Sequence, residues 1–206
     1  MKKSLLLAAI LAFIFSGCAT TGSTGYVEGG TTIKGAKPIT MGIDHTDLEK
    51  AASDAVDSLL GSGALERPGG GRYVVTMGKV INDTTQRIDT GLLTKKIRVA
   101  MLKSGKAVMT TAVTAGGAED SMSHDVRELR ENDEFAQNTI AKKGTLLAPD
   151  MSLSGKIIQR NIKTTDNKQL VEYYFQLTLT QLQTGLAFWE DEININKIGS
   201  NKSVSW

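Results

Sequence analysis

The sequence predicts a two-layer α/β sandwich, a mixed β-sheet with its helices mainly on one face. Three observations carry this. A strand–helix–strand unit runs from Tyr73 to Val113, and three strand-like runs close the chain. The middle run alternates, with Val171, Tyr173, Phe175, Leu177 and Leu179 on one side and Glu172, Gln176, Thr178 and Thr180 on the other. That is the pattern of a sheet with one face in the core and the other largely wet.

The first helix opens with the capping-box spacing at Thr46 and Glu49. Leu48, Ala52, Ala55, Val56 and Leu59 follow at helical intervals, until Gly61 and Gly63 stop the helix. Arg67-Pro68-Gly69-Gly70-Gly71 reads as a turn before the strand Tyr73–Ile81. Phosphate-cradling loops instead lie between a strand and a following helix. A polar loop from Asn82 to Ile88 leads to a helix capped by Asp89 or Thr90, with Leu93, Ile97, Ala100 and Met101 on its apolar face. Gly105 ends it, and Ala107 to Val113 returns as a strand, expected to be parallel to the first and joined by a right-handed crossover.

Glu119 to Lys143 is charged and helical in period, predicting two helices broken near Asn132 and Asp133. After Pro149 the strands are Met151–Ile162, Leu170–Leu182 and Leu186–Ile195, with hairpin signals at Asp166-Asn167 and Thr184-Gly185.

The amino terminus has the anatomy of a lipoprotein signal. Lys2 and Lys3 precede an apolar run from Leu5 to Phe15, then Ser16, Gly17 and the only cysteine of the chain, Cys18. The run is too short to cross a bilayer as a helix, which needs about 20 residues. Residues 1–17 are therefore expected to be removed and Cys18 lipidated. Several acyl chains on one cysteine anchor stably, where one would bind marginally. Ala19 follows the cysteine where an inner-membrane retention signal would have Asp, so the expected location is the outer membrane, facing the periplasm. Residues 18–42 read as the lipidated cysteine and a flexible Gly/Thr-rich tether, and residues 43–206 as one globular domain. Fully extended, the tether would reach roughly 80 Å.

Charge and composition exclude several functions. Two of the 24 basic residues, Lys2 and Lys3, leave with the signal, so 22 face 22 acidic ones and nothing in the charge balance favours nucleic acid. With Cys18 acylated, no thiol remains for a disulfide or a metal cluster. Asp89-Thr90-Gly91 spells the aspartic-protease tripeptide, but it occurs once and at a helix start, where capping explains it. Ser121, His124 and Asp125 share one surface helix, which rarely yields an activated nucleophile with an oxyanion hole. His45 and His124 are the only histidines and neither sits in a metal-ligand pattern. Lys95, Lys96, Arg98 and Lys103 read as the wet side of an amphipathic helix. Tyr174 and Trp189 fit either the wet face or the core. No enzyme, metal or cofactor is expected.

The stretch VVTMGKVINDTTQRIDTGLLTKKIRVAMLKSGK, from Val74 to Lys106, resembles the LpoB family of outer-membrane lipoprotein activators of penicillin-binding proteins. Asn82, Thr85, Ile88, Asp89 and Ser104-Gly105 carry most of that resemblance. Leu179 to Trp189, LTQLQTGLAFW, is similar to the family's closing hairpin. The resemblance implies a fold similar to the amino-terminal domain of TolB. It also implies a non-catalytic protein that binds the regulatory domain of a class A penicillin-binding protein and stimulates peptidoglycan synthesis. Family members in this role carry a long Pro-rich tether, whereas this one is short. A structural or secretion-linked lipoprotein of the CsgG or TolB type is the alternative, and a ring-sized particle in light scattering would favour it. The expected partner-binding residues are Asn82, Asp83, Thr84, Thr85, Gln86 and Arg87, placed at the carboxyl end of a strand where open α/β sheets put binding loops.

Overall fold

The computed structural model describes residues 40–164 and 166–200. Their elements are α1 (His45–Gly61), β1 (Tyr73–Asp83), α2 (Thr90–Ser104), β2 (Ala107–Met109), α3 (Met122–Glu128), β3 (Met151–Lys163), β4 (Lys168–Gln181) and β5 (Ala187–Ser200). They form a mixed five-stranded sheet in the order β2-β1-β3-β4-β5. β1 is parallel to β2 and β3, and the last three strands are antiparallel. The α/β class with a mixed sheet is the one the sequence predicts.

The alternating face of β4 lies in the core, with Val171 and Tyr173 at 0% exposure and Phe175 at 1%. α1 buries Leu48, Ala51, Ala52, Ala55, Val56 and Leu59 against α2 and β5, and α2 contributes Leu93, Ile97 and Met101. Trp189 belongs to this core, its ring nitrogen donating to Ser58 Oγ at 3.4 Å. Tyr174 lies on the opposite face, donating to Glu172 at 2.7 Å. Asn167 and Gly185 take the positive φ values, 57° and 73°, that the two hairpin signals require.

Several local expectations shift. The cap of α1 is Asp44 rather than Thr46: its carboxylate accepts from the N–H groups of Thr46 and Asp47 while Asp47 accepts from the Asp44 N–H. Asp44/Asp47 has the same spacing as Thr46/Glu49, and an acidic side chain at the amino end also favours the helix dipole. Asp44→Ala should therefore destabilise the fold by about 1 kcal/mol in a urea melt, whereas Thr46→Ala should cost less than about 0.5. Asp89 caps α2 through the Leu92 N–H, and Gly105 ends it in the left-handed region.

β2 stops at Met109, short of the expected Val113. Thr114 and Gly117 pair with each other, and the Thr111 carbonyl accepts from Glu119 and Asp120, so the chain turns away from the sheet. The two helices expected between Glu119 and Lys143 reduce to α3 and two single 3₁₀ turns, at Leu129–Glu131 and Gln137–Thr139, none burying a residue. Without an apolar stripe a helix gains little from packing, and side chains hold this segment instead. The Gln137 amide reaches the carbonyls of Leu129, Asn132 and Phe135, and Arg130 donates twice to that of Ala141.

Candidate functional site

β1 runs two residues beyond its expected end, because Asn82 and Asp83 pair with Ile157 and Ile158 of β3. Between Met77 and Val80 it spends one residue more than β3, a β-bulge. The extra residue reverses the alternation, so Val80, Asn82, Thr84 and Gln86 are half-buried while Ile81, Asp83, Thr85 and Arg87 are exposed. The six expected site residues thus divide into two roles.

Asn82, Thr84 and Gln86 build the loop. The Asn82 amide donates to the Gln86 carbonyl at 2.7 Å, the Thr84 hydroxyl reaches both Asn82 Oδ1 and that carbonyl, and the Gln86 N–H donates to Thr84 Oγ1. The Gln86 side chain faces inward, its oxygen accepting from the Ile43 N–H at 2.8 Å and lying 3.2 Å from the Tyr173 hydroxyl. That hydroxyl is also 3.0 Å from the Met41 carbonyl. Burial, with a smaller effect from the negative charge of Asp47, pushes the Tyr173 pKa up to about 12. It therefore stays a neutral donor and locks the loop to β4.

Asp83, Thr85 and Arg87 face solvent. Asp83 pairs with Lys156 at 2.6 Å, and the Thr85 backbone and hydroxyl donate to Gln159 Oε1 at 3.1 and 3.0 Å. Arg87 has no ion pair or hydrogen bond among the described residues, and it borders a hollow of about 400 Å³ at the start of α2.

The packed chain starts close to this loop. Met41, in the stretch read as tether, is 6% exposed, and Gly42 is buried with its carbonyl accepting from Lys197 Nζ at 2.6 Å. Lys197 also pairs with Asp47 and, at 3.4 Å, with Asp44. Sequence reasoning missed Lys197, whose one signal is its place on the core-facing side of β5. It also read Arg98 as part of a wet basic face. Arg98 is instead 7% exposed and paired with Glu119, because its position on α2 faces the chain that follows β2.

The residues weighed for catalysis have structural partners. Ser121 donates to Asp125 at 2.8 Å, while His124 Nε2 is bonded to the Ala112 carbonyl and takes no part in that pair. Among the described residues no His/Cys/Asp/Glu group could hold a metal, and no helix is long and apolar enough to cross a membrane. Cys18, the signal segment and the tether up to residue 39 lie outside the described residues.

Comparison with known proteins gives a family match to the peptidoglycan-synthase activator LpoB over residues 47–195. No curated protein sequence matches the chain. Among solved structures, the LpoB C-terminal domain from Escherichia coli is 15% identical with a TM-score of 0.38, covering 73% of this chain and 99% of that one. The corresponding Salmonella enterica domain is 14% identical with a TM-score of 0.39, covering 72% and 98%. The PelC dodecamer from Paraburkholderia phytofirmans is 17% identical with a TM-score of 0.30, covering 64% of this chain and 75% of that one. The family match takes in nearly all of α1, the whole of β1 to β4 and most of β5, and the chain belongs to the LpoB family of peptidoglycan-synthase activators.

Proposed function

We propose that this protein is an outer-membrane lipoprotein that binds the regulatory domain of a class A penicillin-binding protein and raises its rate of peptidoglycan synthesis. The observation that carries this reading is the family match across the folded domain, from 47 to 195. The family is one of regulatory activators rather than enzymes. An activator needs only differential affinity for the working state of its synthase, and no reacting group of its own. Lipid on Cys18 would hold the domain at the inner surface of the outer membrane. Cys18→Ala should therefore lose incorporated palmitate and leave the outer-membrane fraction; a mutant that still fractionates with membrane, beside an unlabelled wild type, argues against the anchor.

The loop from Asn82 to Arg87 is the proposed contact. Arg87 is the residue most suited to anchor it, because it is exposed, unpaired among the described residues and carries several donors in a planar fork. Arg87→Glu should weaken synthase binding by more than about 1 kcal/mol in titration calorimetry. Since the side chain makes no bond among the described residues, the variant's stability should change by less than about 0.5 kcal/mol in a melting curve. Full affinity in this variant would move the contact elsewhere. Gln86→Ala should instead lower stability, because it strips partners from Ile43 and Tyr173.

A further inference from the structure

β2 leaves most of one side of β1 uncovered. Their pairing ends at Val75↔Met109, and the last backbone bonds across that side run from Thr110 to the Val75 carbonyl and from Ala115 to that of Met77. Among the described residues β1 continues to Asp83 with only β3 beside it. The length from Gly78 to Asp83 is thus a free sheet edge, which offers main-chain groups to an added strand.

A cavity of about 500 Å³ lies against this edge, between β1 and the amino-terminal half of α2. Met77 and Val80 give it an apolar floor, and Lys79, Lys95 and Arg98 line it with a single carboxylate, Glu119. Glu119 is held by Lys95 at 3.1 Å and by Arg98. Lys79 is exposed with no acidic partner among the described residues, and the buried Arg98 Nε–H has no acceptor. Three cations around one acid leave the groove positive, and a carboxylate already resides there.

We propose that this groove receives an extended peptide segment of a partner protein, added as a strand to the edge of β1 and carrying an acidic side chain to the lysines. Main-chain bonds would supply affinity, and the acidic side chain would supply register and choice. The chain's own tether is the poorer match for a positive groove, since Lys34 and Lys37 outnumber its one acid, Glu28, between Ala19 and Ile39. The inference is separate from the contact at Arg87 and does not depend on which enzyme the protein activates.

The test uses the full chain in detergent and a synthetic peptide of alternating valine and threonine with one central glutamate, beside its glutamine counterpart. The glutamate peptide should bind about tenfold more tightly, the scale of a charge pair at a partly desolvated site. It should also slow amide exchange between Gly78 and Asp83. The Lys79→Gln/Lys95→Gln variant, which keeps the Arg98–Glu119 pair, should bind both peptides alike, and Lys79→Arg/Lys95→Arg should restore the preference. Equal affinity for the two peptides, no binding of either, or protection away from this edge would overturn the proposal. So would self-association of the protein alone that protects the same amides, which would assign the edge to a second copy.

Discussion

Lys197→Ala is expected to lower the unfolding free energy by about 3 kcal/mol, the scale for breaking a buried ion pair by removing one partner. The Lys197 side chain is 9% exposed, and the carboxylates it faces on Asp44 and Asp47 are 30% and 15% exposed. Without it, both acids and the Gly42 carbonyl lose a charged donor in a site that is mostly buried. Lys197→Met, which keeps the methylene stem, should recover only the packing part. The loss should also depend on pH. For Asp44, burial alone would raise the pKa, but the Asp47 and Thr46 N–H groups and Lys197 together hold it below the ordinary carboxylate value. A depressed carboxylate contributes stability that is present above its unfolded pKa, 3.8, and lost as pH falls through the folded one. Urea melts should therefore show the full difference between wild type and Lys197→Ala at neutral pH, and a smaller one as Asp44 becomes protonated in acid. An equal difference throughout would assign Lys197 to packing alone.

Gly155→Val is expected to cost about 3 kcal/mol, at the upper end of what overpacking a formed core costs. Gly155 sits on β3 opposite Leu177 of β4 and Val80 of β1, just past the bulge. A Cβ there would lie 2.6 Å from Leu177 Cδ2 and closer still to the Gln176 carbonyl oxygen. Backbone cannot give way as a flexible side chain can, so the strands would have to part. Gly61→Ala is the control, since a Cβ at Gly61 meets nothing within 4 Å. Chemical denaturation should show a large loss for the first variant and almost none for the second.

The parts of the fold legible in the sequence are those fixed by local pattern. The alternation from Val171 to Leu179 announces a one-sided sheet because every second residue enters the core. Asp89 and Gly105 bracket α2 because a cap is a contact between near neighbours. What stayed hidden depends on residues far apart in the chain. The β1 bulge is one extra residue against β3, and a single step reverses which side chains face outward. From Asn82 to Arg87 the sequence is uniformly polar, so nothing local separates Gln86, drawn inward by Ile43 and Tyr173, from the unpaired Arg87. Arg98 looks like its lysine neighbours until Glu119 arrives to pair with it. The segment after β2 has a helical period, yet Gln137 and Arg130 spend their donors on its carbonyls and fix an irregular path.

Activation is tested most directly by the rate of glycan polymerisation by a purified class A penicillin-binding protein, followed on lipid-linked precursor while this protein is titrated in. An activator should raise the rate to a plateau, and Arg87→Glu should shift that titration to higher concentration while its melting temperature stays that of the wild type. A rate that does not change at any concentration of the folded protein would rule out activation of that enzyme.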